Sequence, residues 1–154
     1  MNIIEGPMAP ARRATDFLNN IPYSLVILPA RIATFSVFFR SGLVKIADWN
    51  ATLQLFREEY RVPILPPEFA AHMAATMELG LSSLVLVGLF SRLSVLGLLG
   101  MITVIQLFVE PMGWPDHIQW LGFMLFVLWR GPGAFSLDYL LGRRLLGQSE
   151  VIAG

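Results

Sequence analysis

Cysteine is absent from this chain. Its own residues therefore offer no disulfide framework, no thiolate metal site and no C-x-x-C redox pair, and any thiol chemistry must come from a partner. Charge is scarce too. Only 14% of the 154 residues are charged, and eleven basic side chains balance eleven acidic ones. No basic patch suited to nucleic acid is expected from that balance.

Apolar residues fill the space instead: 55% of the chain is hydrophobic, with a mean hydropathy of +0.63. Four runs stand out, at about Leu25–Ile46, Phe69–Phe90, Leu93–Val109 and Ile118–Trp129. Each approaches the roughly 17–25 residues that a helix needs to cross a bilayer core. A soluble domain of this length does not need four such segments. The expected fold class is all-α, an integral membrane four-helix bundle, with lipid as its first partner.

Short interfacial helices are expected in the first outer loop and at the C-terminus. Over Asp48–Arg61, Trp49, Leu53, Phe56 and Tyr60 recur at near-helical spacing behind Asn50 as N-cap. Over Leu137–Leu146, Ser136 is the expected N-cap, Asp138 suits the first turn, and Arg143 and Arg144 sit on the polar face. Residues 1–22 read as a mobile tail that becomes interfacial near Phe17, 23–147 as the transmembrane domain and 148–154 as a second tail. Pro22 and Pro29 disfavour helix just before them, so the first span is expected to start near Leu28. Arg31 and Arg40 interrupt the first run, which therefore reads as a retained span and not as a cleaved leader. Val62–Pro67 and Glu110–Asp116 are proline-rich breaks, and the short Phe90-Ser91-Arg92 link forces an antiparallel hairpin.

Basic residues set the orientation. With a cytoplasmic N-terminus, six arginines (Arg12, Arg13, Arg92, Arg130, Arg143 and Arg144) lie inside, and Lys45, Arg57 and Arg61 lie outside. Both termini are therefore expected in the cytoplasm of a bacterial cell, with the protein a multi-pass component of the plasma (inner) membrane.

Charge inside an apolar span costs a few kcal/mol or more unless it is paired, and so marks a working site. Arg40 falls about 5 Å to the outer side of the midplane, and Glu78 within about 2 Å of it. Ala71, Ala75, Glu78 and Ser82 share one mostly small stripe, as do Ala33, Ser36 and Arg40. Small residues mark close helix approach, so both stripes are expected to face the bundle. On the opposite stripe of the first span lie Arg31, Phe35, Phe38, Gly42 and Lys45, where Arg31 and Lys45 are near enough to the ends to snorkel. Glu78 can thus pair with Arg40, with Lys45 or with both.

Further polar groups share the outer half: Thr103, Gln106 and Glu110 on one stripe of the third span, His117 one turn before Trp120, and His72 near the outer end of the second span. Arg40, Lys45, Glu78, Gln106 and His117 are the candidate lining of an outward pocket. It is either a ligand pocket or the surround of a charge pair that only locks helix register. Two histidines at different heights make haem or metal unexpected. The four tryptophans read mostly as interfacial belt residues, and the seven methionines as packing.

Arg31, Ser41-Gly42 and Lys45, then Glu78, Gly88 and Ser91-Arg92, then Gly131-Pro132-Gly133 followed by Ser136-Leu137-Asp138 form an ordered pattern over about residues 25–141. It resembles the DoxX family of small four-helix bacterial membrane proteins. Arg40 departs from that pattern, where an apolar or small residue is expected. It marks a subgroup, as does the Tyr60–Glu68 stretch. The resemblance implies a plasma-membrane protein with redox or stress associations. Some relatives are described as subunits of a thiosulfate:quinone oxidoreductase, others as acting in membrane complexes with thiol or detoxification enzymes.

Three functions follow. The first is an accessory subunit of a redox-linked or stress-related membrane complex, with protein partners and specificity carried by Asp48–Glu68. The second is a quinone-linked oxidoreductase subunit, with Glu78 and Arg40 as the catalytic candidates and quinone as the ligand. The third is a small transporter or channel, which needs a homo-oligomer because four helices leave little room for a path. No self-contained catalytic motif is present.

Overall fold

The computed structural model describes residues 9–146. Seven α-helices follow in order: α1 Ala9–Asn19, α2 Tyr23–Ala47, α3 Trp49–Leu55, α4 Pro67–Val87, α5 Ser91–Val104, α6 Trp114–Arg130 and α7 Leu137–Leu146. No strand occurs among the described residues. α5 runs on through a π-helical turn, Ile105–Val109, in which the Glu110 amide donates to the Ile105 carbonyl. Three helices are long and apolar enough to cross a bilayer: Tyr23–Ala47, Pro67–Val87 and Ser91–Val109. α6 is 17 residues long, and it completes a ring in which α2 and α5 each touch both α4 and α6.

The ring has two unlike ends. The narrow end carries the start of α2, the tight α4–α5 turn, the 131–136 segment and the start of α7. The wide end carries α3, the 56–66 segment and the 110–113 turn. Residues 1–8 and 147–154, and with them all of the expected second tail, lie outside the described residues. Of the expected first tail, residues 9–19 form α1. α2 starts at Tyr23 and passes through Pro29, several residues earlier than the prolines suggested. Pro29 is on the exposed face, where its ring meets no other helix. α7 has the expected bounds, and Ser136 caps it by accepting from the Tyr139 amide.

α2 presents the opposite face from the one expected. Its buried residues are Ile27, Ala30, Arg31, Thr34, Phe38 and Gly42, whereas Ser36 and Arg40 are exposed. The aromatic bulk of Phe38, set between Trp120 and the core, outweighs the Ala33–Ser36 stripe. α4 faces inward as expected, burying Ala71, Ala75, Glu78 and Ser82. Ile27, Phe38, Val85, Val95, Leu98, Met124 and Val127 fill the axis of the ring.

Gly42 fixes how closely α2 meets α4. A Cβ there would stand 2.7 Å from Leu79 Cγ and 3.2 Å from Glu78 Cβ. Overpacking of this kind costs about 1–3 kcal/mol, against at most about 1 kcal/mol that alanine regains in helix propensity. Gly42→Ala is therefore expected to lower the melting temperature in detergent. An unchanged melt would mean that the α2–α4 contact yields freely.

α3 forms in the first outer loop as expected, and it also packs on the bundle. Phe56 is buried with Ala70 and Ala71, and Trp49, Leu53, Tyr60, Val62 and Leu65 pack around them, so the apolar face is spent on α4. Its N-cap is Asp48, whose Oδ1 accepts from the Ala51 amide at 3.0 Å, and not Asn50. The Thr52 hydroxyl donates to the Lys45 carbonyl, tying this flap to the end of α2.

Candidate functional site

The sequence-marked residues fall into two clusters. The first is at the narrow end and centres on Arg31, which is 1% exposed. It does not snorkel. Its guanidinium donates to the Val85 carbonyl at 3.0 Å, to Pro132 at 2.9 Å, to Phe135 at 2.6 Å and to Leu86. Val85 and Leu86 are near the C-terminus of α4, where carbonyls lack full helical pairing, although Val85 also accepts from the Gly88 amide at 3.2 Å. Arg31 thus caps α4 and fastens the chain that follows α6.

The other narrow-end residues make room for that knot. Gly88 has φ +73°, and a Cβ on it would meet Arg31 Nη2 at 2.8 Å and the Ser136 side chain. Gly131 and Gly133 also have positive φ, and a Cβ on Gly133 would meet Ile27 at 2.8 Å. Asp138 caps a helix other than its own. Its carboxylate accepts from the Phe90 amide at 2.8 Å, and from the Ser91 amide at 3.0 Å and hydroxyl at 3.1 Å, at the start of α5. These groups saturate one another, so the cluster reads as architecture.

The second cluster is in the wide half. Lys45 Nζ is 2.8 Å from Glu78 Oε1, in an ion pair whose side chains are 15% and 3% exposed. Ser41 completes a triangle, accepting from Lys45 at 2.9 Å and donating to Glu78 Oε1 at 3.2 Å. Of the pairings open in the sequence, Lys45 is the one made. Lys45 does not snorkel because the α3 flap covers that end of α2, and its ammonium turns back toward Ser41. Arg40, on the outer face of α2, has no ion-pair partner among the described residues. Glu78 Oε2 is buried without a hydrogen-bond partner.

Beside this pair a cleft of about 380 Å³ runs between α2, α4, α5 and α6, lined by Val37, Phe38, Arg40, Ser41, Val44, Glu78, Ile105 and Trp120. Arg40 and Glu78 thus share the cleft without pairing. Lys45 does not line it, and neither do Gln106 and His117. The latter two pair with each other, His117 Nδ1 to Gln106 Oε1 at 2.6 Å, and the Gln106 amide donates to the Pro111 carbonyl. Gln106 lies in the π turn and is half-buried, whereas Thr103 remains exposed. His117 connects to the cleft through Trp120, whose ring centroid is 5.1 Å from the imidazole and 6.1 Å from the Phe38 ring. Trp120 is thus a wall of the site, not a belt residue like Trp114 and Trp129, which are 54% and 73% exposed. His72 is exposed and packs on Trp49. Burial pushes the Tyr60 phenol above its ordinary pKa, and the carboxylates of Glu59, Glu78 and Glu110 push the same way.

Sequence reasoning missed Ser41 and Trp120 as parts of the site. Ser41 was legible, one turn before Lys45. Trp120 was hidden by the habit of tryptophan to mark interfaces.

The family model for DoxX matches residues 26–111, more than half of the chain. The chain belongs to the DoxX family. Together with the three apolar helices, this makes it a membrane protein. No curated protein and no solved structure matches it. The DoxX match takes in Arg31, Gly42, Lys45, Glu78, Gly88 and Arg92. It ends before Gly131–Asp138, which the resemblance had included.

Proposed function

We propose that this DoxX protein is a subunit of a redox-linked or stress-related complex in the bacterial plasma membrane. In this reading both termini are cytoplasmic, which the arginines of the narrow end support: Arg12 and Arg13 lead into α2 there, and Arg92, Arg130, Arg143 and Arg144 follow. The apolar filling of the ring axis argues against a path through a single bundle. A partner supplies thiol or electron-transfer chemistry, since this chain has no cysteine.

Within that role, one observation favours a quinone site: a buried carboxylate oxygen without a partner, on a residue that walls a mostly apolar cleft. An unmet buried acceptor costs about 1–3 kcal/mol, and a ligand hydroxyl recovers that cost. A quinol hydroxyl can donate to Glu78 Oε2, and the Arg40 guanidinium can donate to a quinone carbonyl. Val37, Phe38, Val44, Ile105 and Trp120 cover the ring, as expected for a small-molecule pocket with few polar groups.

The test is extraction and quantification of quinone from the purified protein. Wild-type protein is expected to retain quinone near one per chain, and Arg40→Leu is expected to lose most of it while melting normally. Quinone-free wild-type protein whose melt ignores added short-chain quinone would leave only the broader subunit role.

A further inference from the structure

A second site stands at the narrow end, on the outer surface between α5 and α6. Arg92 opens α5 and Arg130 closes α6, and the two flank Gly131. Arg92 Nη2 is 3.5 Å from the position a Gly131 Cβ would take. Tyr23 donates its hydroxyl to the Gly131 carbonyl at 2.7 Å. The Arg130 guanidinium lies 5.2 Å from the Tyr23 ring centroid and 5.5 Å from that of Trp129. Most of their hydrogen-bonding capacity is unspent: Arg92 makes one long bond to the Trp129 carbonyl at 3.5 Å, and Arg130 is held by ring faces. Neither has a carboxylate ion-pair partner among the described residues.

Both guanidiniums stand near Gly131 with no carboxylate to balance them, a positive field that an anion would offset. The surroundings identify the anion. Trp129 is 73% exposed and Leu93 70% exposed, with Leu96 one turn further along α5 at 53%. An exposed tryptophan above exposed leucines at the end of a spanning helix sits at the boundary between head groups and hydrocarbon. The anion abundant in that layer is the phosphodiester of a charged lipid, and guanidinium forks match phosphate geometry.

We propose that Arg92, Arg130 and Trp129 form a binding site for the head group of an anionic phospholipid. Its phosphate bridges the two guanidiniums, and an acyl chain runs along Leu93 and Leu96. The lipid would fasten the α4–α5 turn to the end of α6, opposite the quinone cleft and independent of it.

Thermal unfolding of the full chain in detergent tests this, with phosphatidylglycerol, phosphatidylcholine or inorganic phosphate added. Phosphatidylglycerol is expected to raise the melting temperature, and the other two to leave it unchanged. The Arg92→Gln/Arg130→Gln variant is expected to need roughly 30-fold more phosphatidylglycerol for the same shift, on the scale of two interfacial basic residues. Arg143→Gln/Arg144→Gln, which removes two other arginines of the same end, is expected to keep the response. An equal response to phosphatidylcholine, or an equal loss in both double variants, would overturn the proposal. A response to inorganic phosphate alone would make the ligand a soluble anion and overturn the lipid assignment. Should the glutamine variant not fold, wild-type selectivity among the three additives still decides, and Arg92→Lys/Arg130→Lys is expected to respond to phosphatidylglycerol.

Discussion

Replacing Arg31 with leucine is expected to abolish accumulation of the folded protein. The side chain is buried and donates to four carbonyls from two separate segments, the end of α4 and the chain after α6. Leucine matches much of the volume and none of the donors. Val85 keeps the Gly88 amide, and each of the other acceptors left unmet costs about 1–3 kcal/mol. Even with partial relaxation the sum is comparable to the ~5–15 kcal/mol that holds an ordinary domain together. Lysine is expected to recover only part of the loss, because an ammonium cannot reproduce a planar fork aimed at several carbonyls. The measurement is the yield and melting temperature of monodisperse protein in detergent. A leucine variant that accumulates and melts within a degree or two of wild type would show that Arg31 is dispensable to the knot.

The role of Arg31 also shows where sequence reasoning stopped. The four bundle helices, the α4–α5 hairpin and α7 were legible, because length, apolarity and turn residues act locally, although only three of the four are long and apolar enough to span. The pairing was legible in part, since Lys45 stood among the partners open to Glu78. Rotation of α2 about its own axis was not. Small residues on one stripe and aromatic residues on the other are both acceptable to a bundle, and Phe38 chose by filling the space against Trp120. Once that face turned inward, Arg31 and Lys45 became interior and Arg40 exterior. Helix ends moved for similar reasons. Pro29 is tolerated because it sits on the exposed face, and α6 begins at Trp114, so His117 lies within the helix and not at the edge of a loop. Gln106 lies in a π turn, which has no clear sequence signal.

The ordered pattern that pointed to DoxX separates in space. Arg31, Gly88, Gly131, Pro132, Gly133, Ser136 and Asp138 build the narrow-end knot, where nearly every donor has an acceptor. Gly42, Lys45 and Glu78 build the wide-half cluster, where one acceptor has none. A closed network suits a structural role. An open one beside a cleft suits binding, because a ligand can supply the missing donor.

The Lys45–Glu78 pair allows those two roles to be measured separately. Lys45→Met is expected to cost about 3–5 kcal/mol, the range for removing one partner of a buried pair, because it strands the Glu78 carboxylate between α2 and α4. Glu78→Gln is expected to cost a similar amount by stranding the ammonium under the α3 flap. The double variant removes both charges and is expected to regain most of the loss, since a neutral pair of similar volume is often as stable as the ion pair it replaces. A double-mutant cycle on melting temperature then gives a coupling of several kcal/mol. Simple additivity would mean that the 2.8 Å contact contributes little. Ligand retention in the recovered double variant separates the roles. A pair that only sets helix register leaves the cleft intact, so quinone content returns with stability. A Glu78 carboxylate that accepts from the ligand is not replaced by a glutamine amide of different hydrogen-bonding character, so stability returns while quinone content stays low. The second outcome is expected, because the Glu78 oxygen that lacks a partner is not the one that Lys45 and Ser41 hold.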